Sequence, residues 1–311
     1  MMPQQTRLTP DSFADMALLG TLWGGSFFAV AIALREMGPL TVVAHRVFWA
    51  ALALWALAAW RGLTPPRDAA AWVGFAVMGL LNNIVPFGLL AWAQLQVESG
   101  LVSILNASTA IFGALVAAAL LRDERLTARR ALGVGLGFAG VVALVGTEAL
   151  SGLSLRSAAQ AAVALAAISY SFASVWARVR LRGHAPVVAA AGMLTCSTLM
   201  AAPLALAVEG APRLDLSAGV WAAIVWYAVV CTALSYLLYY RLVATVGAAN
   251  TMLVTLLIPP VAVTLGAVFL GERLGPEAAV GYALLAAGLA VIDGRGPAFL
   301  WGRLVRRKPA P

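Results

Sequence analysis

Charge is scarce in this chain: 11% of its 311 residues are charged and 62% are hydrophobic. The charges gather in short clusters between long apolar runs, which excludes a soluble globular domain of ordinary composition. Cysteine and histidine are almost absent, with two of each. Cys196 and Cys231 both lie inside apolar runs and read as small hydrophobic residues, with no metal-ligand or disulfide spacing. His45 and His184 stand far apart, so no cofactor and no metal centre is expected. No Asp or Glu falls in the middle of any apolar run. A membrane-embedded acid of the kind used in proton relays is therefore missing. Without a Cys/His/Asp cluster, an integral-membrane enzyme has little to work with, and a channel is a further, weaker alternative.

What the chain has in abundance is apolar length. A hydrocarbon core about 30 Å thick takes roughly 20 apolar residues of helix. Ten runs meet that need, at 13–34, 40–60, 71–96, 100–121, 128–147, 157–181, 186–208, 218–243, 248–270 and 276–293. Backbone groups in lipid need partners within their own segment, so each run is expected to be helical. The expected fold is an all-α integral membrane protein with ten transmembrane helices. The first run follows Arg7, Asp11 and Asp15 without a small-residue cleavage site after it, and reads as a retained span.

Basic residues orient the chain. With the N-terminus in the cytoplasm, sixteen Lys and Arg residues fall on that side and four (Arg35, Arg156, Arg213 and Arg273) on the other. This asymmetry places both termini in the cytoplasm. It also accounts for the net charge of +8, so no nucleic-acid partner is implied. The partners expected are a lipid bilayer and a small molecule.

The chain repeats itself. Glu124-Arg125-Leu126 returns as Glu272-Arg273-Leu274, 148 positions later, and Gly133, Gly140 and Gly146 then meet Gly281, Gly288 and Gly294 without a gap. Such self-similarity marks a duplicated unit, here 1–150 and 151–311, each with five spans. Two repeats with an odd span count lie in opposite orientations. Inverted repeats are the architecture of many secondary transporters, with the substrate site near the midplane between the halves.

Several stretches resemble the drug/metabolite transporter superfamily in its ten-helix EamA-type branch. They are Leu22-Trp23-Gly24-Gly25-Ser26-Phe27, Arg46, Glu124-Arg125-Leu126-Thr127, and Pro259 through Gly271-Glu272-Arg273-Leu274. The resemblance covers nearly the whole chain. It implies export of small organic solutes across a bacterial inner membrane, and the chain looks most like bacterial exporters of amino acids, aromatic ones in particular. The first repeat lacks the proline pair of the second, so only the ninth span is expected to be kinked.

Polar and aromatic groups deep in a span are costly there and mark candidate pathway residues. They are Trp23, Asn82, Asn83, Asn106, Tyr170, Tyr236 and Thr255. Adjacent amides point in different directions on a helix, so at most one of Asn82 and Asn83 is expected to line a cavity, the alternative being an interhelical hydrogen bond. Trp23 and Tyr170, in the equivalent first and sixth spans, are expected to meet near the pseudo-two-fold axis, although packing alone would also explain them. Pro86, Pro259 and Pro260 are candidate hinges or static kinks. Arg46, beside His45, needs a partner: a structural pair with Glu36 or Glu98, a snorkelling geometry, or a substrate carboxylate. The lack of a buried acid favours facilitative export; proton-coupled efflux, using His45 or a terminal carboxylate, is the alternative. The small residues of the fifth and tenth spans suit close packing or a homodimer seam, so the protein is expected to be a monomer or a homodimer.

Overall fold

A computed structural model describes residues 10–120, 127–145, 155–180, 183–213, 215–246, 254–255 and 257–293. The described residues are helical, with no strand among them. In chain order the helical runs are α1 (Pro10–Ala33), α2 (Pro39–Trp60), α3 (Ala69–Ala93), α4 (Ser99–Leu120), α5 (Ala128–Val145), α6 (Leu155–Arg180), α7 (Pro186–Glu209), α8 (218–246), α9 (Ile258–Leu270) and α10 (Pro276–Asp293). Seven of them, α1–α4 and α6–α8, are long and apolar enough to cross a membrane, and α5 and α9 contain shorter apolar helices. Glu124, Arg125 and the basic C-terminal tail lie outside the described residues.

Local chemistry sets the boundaries. Pro39, Pro186, Pro259 and Pro276 occupy the first turns of α2, α7, α9 and α10, where a missing N–H costs nothing. Asp68 caps α3 by accepting from Ala70 N at 3.1 Å, and Ser217 caps α8 by accepting from Val220 N at 3.3 Å. Gly271 closes α9 in the left-handed region at φ 70°, a conformation that a side chain would strain.

The packing follows a rule. α2 lies along α7, α4 against α9, and α5 along α10. α3 packs on α6 as α8 packs on α1; α4 packs on α6 as α9 packs on α1; and α3 packs on α7 as α8 packs on α2. α1 and α6 share little surface with each other among the described residues. Glycine lets the closest pairs approach. A Cβ at Gly140 would meet Gly281 O at 2.8 Å, and one at Gly288 would meet Gly133 O at 2.6 Å. The small residues of α5 and α10 thus face each other within one chain.

Two features depart from uniform helices. π-helical segments interrupt α3 at Leu80–Ile84 and α8 at Trp226–Leu234, and a third ends α9 at Gly266–Leu270. In addition, the expectation that only the ninth span is broken does not hold. α4 is interrupted at Ala107–Ser108, where Thr109 Oγ1 donates to Asn106 O at 2.7 Å. A hydroxyl that takes a backbone carbonyl competes with the helical ladder, so a break forms without proline. The prolines in turn do not kink the middle of a helix: Leu257 is the N-cap of α9, and Pro259 and Pro260 begin it. Of the span expected at 248–270, 248–253 and 256 lie outside the described residues, and Val254–Thr255 forms a 3-10 piece.

Candidate substrate site

The π segments of α3 and α8 carry the candidate site. A π turn shifts the helix register by one residue and leaves carbonyls without their usual donors, so such turns recur at functional sites. In α8, Thr232 Oγ1 donates to Tyr227 O at 2.7 Å and Ser235 Oγ to Val230 O at 3.2 Å, each five residues back. In α3 the π segment carries Asn82 and Asn83, and Pro86 begins the α-helix that resumes at Val85. The proline supplies no N–H, and the wider turn before it absorbs the mismatch.

The two asparagines take different roles. Asn83 is fully buried and donates from Nδ2 to Ser197 Oγ of α7 at 2.8 Å. Asn82 is half-buried and donates from Nδ2 to the Tyr236 hydroxyl of α8 at 2.8 Å. That hydroxyl donates on to Asn83 Oδ1 at 3.3 Å. Next to Tyr170, Ser169 Oγ donates to Leu81 O at 2.7 Å, which ties α6 to the π segment of α3. Tyr170 is half-buried and meets the Phe87 ring edge to face, with centroids 6.5 Å apart.

Arg46 enters the same cluster from α2. Its Nε donates to Thr232 Oγ1 at 3.0 Å, and its guanidinium carbon lies 3.9 Å from the centre of the Phe87 ring. The expected pairing with Glu36 or Glu98 is not formed. Glu36 Oε2 accepts from Ser217 N at 2.8 Å, and Glu98 pairs with Arg156 at 3.5 Å. Ser217 holds the Glu36 carboxyl below its usual pKa range, first through its hydroxyl and then through its backbone N–H. His45 turns away from Arg46. Its Nδ1 accepts from Trp49 Nε1 at 3.2 Å, and its ring meets Trp221 edge-on at 6.0 Å.

The remaining candidates sit around this centre. Trp23 and Tyr170 both pack against one apolar cluster that includes Phe27, Leu90 and Ile258, although α1 and α6 barely touch. Trp23 also lies 5.9 Å from Tyr239 of α8. Asn106 stands at the break in α4 with its Oδ1 buried and without a hydrogen-bond partner among the described residues. Thr255 sits in the 3-10 piece before α9. Phe87, Ser197 and Thr232 were not among the sequence candidates. A phenyl ring, or a hydroxyl one turn from many other apolar residues, carries no positional signal; only the interrupted helices bring them to Arg46 and Asn83. An open cavity of about 640 Å³ lies at one end of the bundle, lined by Thr64, Arg67 and His184 among others, and shares no residue with the central cluster. No group of three or more His, Cys, Asp or Glu able to hold a metal occurs among the described residues.

Comparison with known proteins follows the same division of the chain. The EamA-like transporter family matches residues 14–146 and again 158–293. The chain belongs to this family. A probable terminal-alkyne amino-acid exporter of Streptantibioticus cattleyicolor is 28% identical over 285 residues, covering 90% of this chain and 92% of that protein. An uncharacterised transporter of Archaeoglobus fulgidus is 24% identical over 246 residues, covering 78% and 84%. A WAT1-related chloroplast protein of Arabidopsis thaliana is 26% identical, covering 84% of this chain and 64% of its own length. A crystal structure with 18% identity superposes with a TM-score of 0.64 over 90% of this chain and 95% of that one, so the fold is shared. This EamA-family transporter is thus a multi-pass membrane protein.

Proposed function

We infer that this transporter exports small organic solutes, amino acids foremost and aromatic ones favoured, by alternating access down the substrate gradient. The observation that carries the reading is the central cluster. Arg46, Asn82, Tyr170 and Tyr236 are half-buried side chains from four helices, gathered at interrupted segments of α3 and α8. Irregular backbone at membrane depth is tolerated where it lines a cavity. The similarity to a probable terminal-alkyne amino-acid exporter supports the substrate class.

The ten runs are read as ten spans in two inverted repeats, 1–150 and 151–311. The packing rule that relates each helix to the one five places on, and the two successive family matches, support this. The basic flanks support a reading with both termini in the cytoplasm of a bacterial cell and the protein in the inner membrane. Such pseudo-symmetry allows the two halves to exchange conformations, which opens the site to either side.

No carboxylate contributes to the described central contacts, and His45 faces Trp49 and Trp221 rather than the cluster. Both features favour facilitative transport over proton-coupled efflux. The face-to-face small residues of α5 and α10 favour a monomer as the working unit over a homodimer sealed through them.

The test is counterflow in proteoliposomes preloaded with one amino acid and given labelled tryptophan outside, with and without an imposed pH gradient. Saturable accumulation indifferent to the gradient is expected. Accumulation that follows the gradient would replace the facilitative reading with a proton-coupled one. An absence of amino-acid flux, with tryptophan or leucine as label, would remove the substrate claim.

A further inference from the structure

We propose that Arg46 is a carboxylate clamp, so that this transporter recognises its substrates by a free carboxylate and rejects amides and amines of the same shape. The proposal rests on the transport reading above and assigns the chemical class that its site accepts.

Among the described residues, Arg46 has no counterion. Arg46 is half-buried within α2. A charge in such a place is expensive unless it is paired. Arg46 has two described partners, the Thr232 hydroxyl and the Phe87 ring, and both are neutral. The described acids that reach other helices are committed elsewhere. Glu36 holds Ser217 N, Glu98 holds Arg156, Asp15 holds Arg241, Glu209 holds the start of α2, and Glu272 holds the start of α4. The described part of the bundle therefore supplies the cation and no anion for it.

The geometry leaves the useful part of the guanidinium available. Thr232 takes Nε, and the Phe87 ring covers one face. Neither contact uses the paired Nη groups, which can hold a carboxylate through two parallel hydrogen bonds. Thr232 is fixed in turn by its own bond to Tyr227 O. The guanidinium is thus oriented before a substrate arrives, and preorganisation lowers the cost of binding. Phe87 and Tyr170 stand beside it as apolar surface for the rest of the substrate.

The experiment measures binding to the purified full-length protein in detergent micelles, by competition and by ligand-induced thermal shift. The probes are L-tryptophan and L-leucine, each beside its carboxamide and its decarboxylated amine, together with indole-3-propionate, which keeps the carboxylate and lacks the amine. Preference for each acid over its amide by about tenfold or more is expected. R46Q should abolish that preference, and R46K should retain part of it. T232V keeps the charge and loosens its orientation, so it should weaken acid binding while leaving some acid-over-amide preference. Equal binding of acid and amide by the unaltered protein overturns the clamp and leaves the transport reading standing. Acid-selective binding that depends on Arg46, in a protein without counterflow, upholds the clamp and removes the transport reading. Carboxylate preference that survives in R46Q overturns the clamp, as does an absence of carboxylate-dependent binding by every probe.

Discussion

The carboxylate of Glu272 holds the first backbone N–H groups of α4: Oε1 accepts from Ser99 N at 2.8 Å and Oε2 from Gly100 N at 3.0 Å. The Gly271-Glu272-Arg273-Leu274 stretch thus has a physical task, to bind the end of α9 to the start of α4. Glu209 does the same for α2, accepting from Leu40 N and Thr41 N at 2.8 Å each and from Thr41 Oγ1 at 2.6 Å. Anionic groups at helix N-termini satisfy orphan donors and complement the helix dipole. Both acids reach from the second half of the chain to the first.

Removing Glu272 should therefore destabilise the junction between α4 and α9. E272A is expected to cost about 1–2 kcal/mol, the scale of a lost helix cap. E272Q, which keeps one acceptor oxygen, should cost less. Denaturant unfolding of the purified protein followed by tryptophan fluorescence checks the order. Equal stability of all three proteins would mean that the cap contributes nothing.

Glu36 gives the structure a pH dependence on its exposed surface. Ser217, through its hydroxyl first and its N–H second, lowers the folded-state pKa of Glu36 below its value in an unfolded chain. The sign follows from linkage. The bond stabilises the start of α8 above the ordinary carboxylate range and is lost as pH falls through the depressed folded-state value. Hydrogen exchange around Ser217 should accelerate on acidification, and E36Q should flatten that response. A response unchanged by E36Q would assign it to another group.

The amino-acid sequence displayed the helices well and the site only in outline. Apolar length and first-turn prolines are local signals, and α10 spans the residues expected of it, Pro276–Asp293. Asn82, Tyr170 and Tyr236 stood out because polar atoms are conspicuous among apolar ones. Depth along a helix says nothing about azimuth or about π turns, so it does not give the partner of Arg46. Those turns bring Thr232 to Arg46, and no single residue type announces them. The break in α4 was hidden for a related reason: it comes from Asn106 and Thr109, not from a proline.

The two adjacent asparagines should separate stability from transport. Asn83 is buried and its amide is bonded to Ser197, so N83A leaves a buried hydroxyl without that partner and should cost about 1–3 kcal/mol. Asn82 is half-buried against the Tyr236 hydroxyl, so N82A and Y236F should raise the counterflow KM several-fold with smaller losses of stability. Parallel unfolding and counterflow measurements on the three variants decide this. Should N82A lose as much stability as N83A with KM unchanged, Asn82 is structural too.

Two glycines test the seam between α1 and α9. A Cβ at Gly24 would lie 2.7 Å from Val261 Cβ and 2.8 Å from Ile258 O, whereas one at Gly88 would meet nothing within 4 Å. Backbone cannot yield as a flexible side chain can, so G24A must push α1 away from the first turn of α9, at a cost of about 1–3 kcal/mol. G88A adds a methyl to open space in a helix and should be neutral or stabilising by about 0.5–1 kcal/mol. If α1 slides on α9 during transport, G24A should also slow counterflow by more than its stability loss predicts, because the close approach is then part of the moving surface. Unfolding curves and single-turnover flux measured on the same preparations separate the two effects. A G24A protein as stable and as fast as the parent would show that α1 and α9 do not approach as closely as these atoms require.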